Sequence, residues 1–168
     1  HDIVRAVSEG QTDIGIVAGL VRTENLETLP YRRDRLVLVV PKDPALAGRQ
    51  EVAFAETLDC DHVGLQESSA IHAFLRQVCD QLHRPLRLRI QVGNFEAACR
   101  MVEANVGVAI LPESAARRHA QAMAIAIVPL RDEWSLRNLS ICVRQLDALP
   151  LFARDLVELL VADALSAA

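Results

Sequence analysis

The stretch Asn94–Pro112, NFEAACRMVEANVGVAILP, decides the fold because it contains a helix, a tight turn and a buried strand in succession. Asn94 is a typical N-cap residue, and the segment 95–104 after it has the spacing of an amphipathic helix. Asn105 follows this helix at the position where a left-handed backbone is expected, and asparagine is the usual substitute for glycine there. The apolar run 106–112 ends at a proline and is typical of a strand covered on both faces. The stretch therefore predicts one helix–turn–strand unit of an α/β protein.

The rest of the chain repeats this alternation of strand and helix. Buried strands are predicted at 12–19 and 35–41, further strands at 62–65, 124–128 and 138–144, and a half-exposed strand at 86–92. Further helices are predicted at 2–11, 69–83, 113–120 and 151–165, the last with an apolar face of Phe152, Leu156, Leu159 and Leu160. We expect residues 22–30 to form a connecting loop. This order of elements indicates an α/β fold with mostly parallel pairing of the strands.

The composition excludes some classes of protein. The chain has 168 residues, of which 51% are hydrophobic, and a net charge of −4. This length suffices for one substantial domain or two small lobes. The negative charge disfavours direct binding of nucleic acid or of an anionic membrane, and no apolar run approaches the roughly 20 residues that span a bilayer. Because His1 is not a natural start, we interpret the chain as a fragment of a longer protein.

The side chains that usually carry catalysis or bind metals show no functional spacing. The four cysteines form no CxxC pair, and buried free thiols in a reducing, cytoplasmic compartment fit them best. The five histidines show no paired-ligand spacing, and we expect His72 to face solvent. The sequence Cys60-Asp61-His62 could be imagined as a metal or thiol site, but adjacent side chains at a strand entry rarely converge. We therefore predict no catalytic residues, no metal and no cofactor.

A turn in the first third of the chain is the best boundary between two lobes. The segment Pro41–Gly48 combines two prolines with a glycine, which is turn chemistry. If the last strand and helix return to complete the first lobe, the central segment forms a second lobe by itself. Two lobes joined by two crossing segments leave a cleft, which is a usual place for a small ligand.

Four segments, taken together and in order, resemble one known family. They are DIVRAVSEGQTDIGIV (2–17), RDRLVLVVPKDPALAG (33–48), NFEAACRMVEANVGVAILPESAA (94–116) and RNLSICVRQLDALPLFARDLVELL (137–160). The set is similar to the effector-binding domain of LysR-type transcriptional regulators along nearly the whole chain. The resemblance implies a two-lobed, type 2 periplasmic-binding-protein-like fold with mostly parallel sheets. Its first lobe (RD-I) would be residues 1–40 and 141–168, and its second lobe (RD-II) residues 41–140.

The chain departs from the family at its beginning. The family's domain opens with a strand, a helix and a second strand, a unit of about 30 residues. This unit precedes the helix of 2–11 in the family and is missing here, so we expect the first lobe to be incomplete at its N-terminus. The winged helix-turn-helix of the family is also absent from this chain, so DNA would be bound only through that upstream domain.

The loop Gln66-Glu67-Ser68-Ser69 is the main candidate for ligand binding. It joins a predicted strand to a helix, and free N–H groups at a helix start favour a carboxylate or similar anion. The simpler interpretation is that Ser68 or Ser69 caps the helix, and both interpretations can hold if one serine caps while its neighbour points outward. By resemblance, the loop faces the cleft. Because Glu67 disfavours an anion beside it, a neutral or amine-bearing effector stays open.

Four further residues are weaker candidates for ligand contact. Asn94 is more simply a cap than a ligand contact, although its amide has spare donors, and Phe95 either shields the cleft or joins the core. Ala18 and Gly19 end a predicted strand at its carboxyl end, where open α/β sheets bind ligands, and would make contact through their backbone.

The resemblance implies the effector-sensing domain of a LysR-type regulator in the cytoplasm. A small molecule, with a carboxylate as one candidate, would bind between the lobes. Binding would change how the subunits of a dimer or tetramer pack, and therefore how the attached DNA-binding domains are placed on their sites. We expect no membrane partner. An exported solute-binding protein of a transporter is the alternative, which a signal peptide in place of the winged helix-turn-helix would identify. An enzyme of similar build is a third interpretation, and it lacks a catalytic constellation.

Overall fold

The computed structural model describes residues 2–18 and 25–166, in two compact units. Unit 1 consists of residues 1–34 and 136–168, and unit 2 of residues 35–135. The helices are α1 (Asp2–Ser8), α2 (Pro44–Ala47), α3 (Phe54–Thr57), α4 (Ala70–Gln81), α5 (Phe95–Glu103), α6 (Glu113–Ala120) and α7 (Leu151–Ser166). The strands are β1 (Ile14–Ala18), β2 (Glu27–Pro41), β3 (His62–Leu65), β4 (Leu88–Val92), β5 (Ala109–Pro112), β6 (Ile125–Pro129) and β7 (Leu136–Val143). Short 3₁₀ turns lie at Glu133–Ser135 and Leu146–Ala148.

Unit 1 is built on strand β7. This strand has β1 on one side and β2 on the other, and it pairs with β1 in antiparallel register from Ile14–Val143 to Ala18–Leu139. Helix α1 lies directly on β1, because a Cβ added to Gly15 would come within 2.6 Å of the Ile3 side chain. The close approach of helix and strand therefore depends on this glycine.

The last helix, α7, buries a different face from the predicted one. Phe152, Leu156 and Leu159 are 73%, 47% and 68% exposed, whereas the small side chains of Ala153 and Val157 are buried against β7 residues. The predicted apolar face was therefore wrong for these three residues, and Leu160 is half-buried. The helix carries apolar residues around most of its circumference, so spacing alone could not identify the buried side.

Unit 2 holds the larger core, and β2 provides its centre. The five residues from Leu36 to Val40 are at most 2% exposed. Strand β2 pairs with β5 and with β6, both in antiparallel register, while β3 and β4 pair in parallel. A parallel bridge between His62 and Val108 joins β3 to the segment that leads into β5. The α/β class is confirmed by these elements.

The expected mostly parallel pairing is wrong for the described strands. Three of the strand pairs, β1–β7, β2–β5 and β2–β6, are antiparallel. A continuous apolar run shows that a strand is covered on both faces, and it carries no information about the direction of the neighbouring strand. The error was to infer the direction of neighbouring strands from the burial of each strand.

Most other predicted elements are present. Asn105 has φ of +60°, which confirms the left-handed turn after α5, and α6 has the predicted bounds. The loop expected over 22–30 is wrong for its last residues, because β2 already begins at Glu27. The first part of β2 is polar and only partly buried, so it lacked the apolar signal of a central strand. Residues 22–24 of the predicted loop lie outside the described residues.

Candidate functional site

A pocket in unit 2 forms where two parallel strands end side by side. Strands β3 and β4 are paired up to Leu65 and Val92, and each continues through a short loop into a helix. The loop after β3 leads into α4, and the loop after β4 leads into α5. Between the two helix starts lies an open cavity of about 340 Å³. Its lining residues are Leu65, Gln66, Ser68, Ser69, Gly93, Asn94 and Phe95.

Five of the seven predicted site residues line this one cavity. They are Gln66, Ser68, Ser69, Asn94 and Phe95. Ala18 belongs to unit 1, where it is the half-buried last residue of β1 and pairs with Leu139. Gly19 lies outside the described residues. Leu65 and Gly93 also line the cavity and were missed, because an apolar side chain and a glycine carry no chemical signal of a ligand site.

The two helix starts are capped differently. Asn94 caps α5 through its side chain, whose Oδ1 accepts a hydrogen bond of 2.8 Å from the Ala97 N–H. Ser69 is the N-cap residue of α4, but its hydroxyl makes no capping hydrogen bond. The first N–H groups of α4 therefore have no side-chain acceptor from the chain's own cap residue. An acceptor group of a ligand can take that place, since a helix N-terminus carries a partial positive charge.

The pocket wall is neutral. Its polar lining consists of two hydroxyls and two side-chain amides, and Leu65 and Phe95 supply apolar surface. Phe95 is half-buried and packs against the core of unit 2, so it both joins the core and lines the cavity. Glu67 is exposed and does not line the pocket. The arrangement can bind a small polar molecule by hydrogen bonds, with apolar contact on one side.

Helix α4 carries a buried histidine. His72 is only 5% exposed, so the expectation that it faces solvent was wrong. It lies on the buried side of α4 together with Ile71 and Leu75. The helical spacing of the apolar residues had predicted burial for these two neighbours and not for the histidine between them. His62 and His72 line a small cavity of about 10 Å³, which is the size of a single water molecule.

The segment Cys60-Asp61-His62 does not converge on one point. The Nε2 of His62 donates to the Thr57 carbonyl at 2.9 Å, because a carbonyl can only accept, and burial lowers the pKa of this histidine. The Asp61 carboxylate instead pairs with Arg87, directly before β4, and with Arg89 on β4. The three side chains therefore serve separate structural contacts.

The cysteines belong to no metal-binding cluster within the part of the chain that the structure describes. All four cysteines are free, and burial raises the pKa of the Cys99 thiol to about 11. Within residues 2–18 and 25–166, no three His, Cys, Asp or Glu side chains come close enough to bind a metal ion together. In the same ranges, every helix is too short or too polar to cross a bilayer.

The chain is similar to transcriptional regulators of known sequence. It is 30% identical over 131 residues to an uncharacterized HTH-type transcriptional regulator of Methanocaldococcus jannaschii, which covers 76% of this chain and 44% of the relative. It is 25% identical over 143 residues to a probable RuBisCO transcriptional regulator of Synechocystis, which covers 82% of this chain and 41% of the relative. The chain thus spans less than half the length of these curated relatives.

Solved structures share the fold. The effector binding domain of QuiR in complex with shikimate matches 98% of this chain and 78% of its own, with a TM-score of 0.75 and 14% identity. The regulatory domain of Synechocystis CcmR in complex with 2-PG matches 97% of this chain and 78% of its own, with a TM-score of 0.77 and 16% identity. The LysR substrate binding domain model matches residues 1–164. The chain therefore belongs to the LysR substrate binding domain family.

Proposed function

We propose that the pocket between α4 and α5 binds the small-molecule effector of a LysR-type regulator. The observation that carries the proposal is the convergence of Gln66, Ser68, Ser69, Asn94 and Phe95 on one cavity of about 340 Å³. Membership of the family supports an effector-binding role for the domain. The size of the cavity fits a small molecule.

The effector we propose carries a carboxylate or another strong acceptor together with hydroxyl groups. The acceptor would take hydrogen bonds from the start of α4 and from the serine hydroxyls, while the Asn94 amide donates to a second group. The absence of a charged side chain from the pocket lining, as described, favours a singly charged or neutral ligand over a highly charged one. A neutral or amine-bearing effector is the second possibility, because Glu67 lies beside the serines.

The proposed effect of binding is on DNA recognition by the full-length protein. DNA would be bound by an upstream winged helix-turn-helix, in a dimer or tetramer located in the cytoplasm. The effector must bind the DNA-binding and non-binding arrangements with different affinity, since a ligand with equal affinity for both shifts nothing. Neither catalysis nor a cofactor enters this proposal. The exported solute-binding protein is not favoured, because the curated relatives are transcriptional regulators.

A thermal-shift screen tests the binding site. Shikimate, other hydroxylated carboxylates, amino acids and aromatic acids are added to the wild-type chain and to Ser68→Ala and Ser69→Ala variants. A ligand at 100 times its dissociation constant should add about 2.7 kcal/mol to the free energy of unfolding, and the serine variants should lose most of this gain. Ser114→Ala, at an exposed serine of α6, is the matched control. Ligand stabilisation that survives in both pocket variants would contradict the proposed site.

A further inference from the structure

The ends of β3 and β4 are joined by a side chain as well as by the strand pairing. The Gln91 side-chain amide on β4 donates from Nε2 to the Leu65 carbonyl oxygen at 3.1 Å. Leu65 is the last residue of β3, and its carbonyl lies directly before the loop that carries Ser68 and Ser69. Because the parallel pairing ends at this point, Gln91 extends the connection between the strands to the edge of the pocket.

A second glutamine makes the reverse contact. Gln66 leaves the end of β3 and packs over Gly93, at the end of β4. A Cβ added to Gly93 would lie 3.5 Å from Gln66 Nε2 and 3.8 Å from its Cδ, which are ordinary van der Waals distances. Each strand end thus contacts a glutamine side chain of the other, and both contacts lie between the starts of α4 and α5.

Gln91 lies opposite Gly64 in a strand pair that contains an irregularity. The register of β3 against β4 shifts between His62 and Val63, and after the shift Gly64 pairs with Gln91. A Cβ added to Gly64 would lie 2.5 Å from Leu88 Cδ2 and 3.6 Å from Gln91 Cγ. The glycine therefore makes room for the Leu88 side chain, while Gln91 lies beside it at an ordinary contact distance.

We infer that Gln91 is a positioning residue for the pocket, which holds the loop of Gln66 to Ser69 at a fixed place relative to the start of α5. It does not line the cavity, and it acts through the Leu65 carbonyl. Loss of this hydrogen bond frees the loop while the two helices stay anchored in the core. The consequence for ligand affinity rests on the proposed function, whereas the effect on the loop does not.

Amide hydrogen exchange of the unliganded chain tests the effect on the loop. Gln91→Met keeps the length of the side chain and removes its N–H groups. We expect exchange of the Ser69 N–H, which donates to the Gln66 carbonyl at 2.9 Å, to become at least tenfold faster. The Ala124 N–H, which donates to Glu103 at the far end of α5, should keep its rate. Gln77→Met, at an exposed glutamine of α4, is the control and should change neither rate.

The outcomes separate positioning from general stabilisation. Equal acceleration at Ser69 and Ala124 would mean that Gln91 only stabilises unit 2, and an unchanged rate at Ser69 would mean that it does not restrain the loop. Either result overturns the inference. Gln66→Ala, which removes the reverse contact, should also accelerate Ser69 selectively, and provides a second variant if Gln91→Met folds poorly.

Shikimate titration separates this inference from the proposed function. If shikimate binds and Ser69→Ala weakens binding, Gln91→Met should also weaken it, by a factor of about ten. A loss with Ser69→Ala and none with Gln91→Met would overturn the positioning role alone. Binding that is insensitive to Ser69→Ala would overturn the proposed site, whatever exchange at Ser69 shows. If shikimate does not bind, the exchange rates alone decide the positioning role.

Discussion

The starts of α4 and α5 border the same pocket and use their polar residues in opposite ways. The side-chain oxygen of Asn94 accepts a hydrogen bond from the Ala97 N–H, whereas the Ser69 hydroxyl makes no capping hydrogen bond. Both residues belong to the types that cap helices. The difference teaches that the type of a residue at a helix start does not decide its role. The geometry decides whether the polar group is used by the fold or is free for a ligand.

The largest effects should come from the buried sides of the two helices, where α4 and α5 are alike. Leu75→Ala in α4 should cost about 3 kcal/mol of unfolding free energy and Val102→Ala in α5 about 2 kcal/mol, because each leaves a cavity in the core. Urea unfolding measures both values, with Gln77→Ala as an exposed control that should stay within about 0.5 kcal/mol of wild type. A cost below about 1 kcal/mol for either would show that its helix is loosely anchored.

The caps should then separate the two helices. Asn94→Ala should destabilise the chain by about 1 kcal/mol, because the Ala97 N–H loses its acceptor. Ser69→Ala should change the unfolding free energy by less than about 0.5 kcal/mol, since no hydrogen bond is lost. The two urea curves are compared without ligand. A larger loss for Ser69→Ala than for Asn94→Ala would reverse the comparison.

The free energy of unfolding should depend on pH through His62, the first residue of β3, the strand that precedes α4. Burial holds the pKa of His62 below its usual 6.5, so the unfolded chain takes up the proton more readily than the folded one. The contribution of His62 is therefore fully present above pH 6.5, and it is lost as the pH falls from there towards the lower folded-state pKa. Urea midpoints at pH 8 and pH 5.5 measure it.

The matched variant for this pH effect is His62→Gln, which keeps a donor for the Thr57 carbonyl but does not titrate. His62→Gln should reduce the difference between the urea midpoints at pH 8 and pH 5.5, whatever the overall stability of the variant. An equal pH difference in wild type and variant would assign the effect to other groups.

The smallest effect should appear at the far end of α5. The Glu103 carboxylate accepts from the Ala124 N–H at 2.7 Å and from Arg100 at 3.1 Å, and these bonds lower its pKa. Its contribution should be present above pH 4.5 and be lost as the pH falls below that value. Glu103→Gln should reduce the difference in urea midpoint between pH 6 and pH 3.5 slightly. An unchanged difference would show that the Glu103 carboxylate adds nothing to the stability.

Local signals in the sequence predicted the pocket better than the sheets. The residues of both helix starts were identified from helix-start chemistry and from the family resemblance, and Gln66, Ser68, Ser69, Asn94 and Phe95 do line one cavity. Strand direction was not predictable, because it depends on contacts distant in sequence. The exposed face of α7 and the burial of His72 were missed for the same reason: which side of a helix meets the core is decided by its neighbours. Gln91 gave no signal, since its alternation with Arg89 indicated only an exposed side of β4.

The chain's single tryptophan has a practical consequence for spectroscopic measurements of unfolding. Trp134 lies in unit 2, edge-to-face with Phe54 at 5.5 Å between ring centroids and with Phe74 of α4 at 5.2 Å. The single tyrosine, Tyr31, lies in unit 1. Tryptophan fluorescence therefore monitors the unfolding of unit 2, whereas far-ultraviolet circular dichroism monitors the unfolding of both units. Two unfolding curves that fail to superimpose would reveal that the two units denature in separate steps.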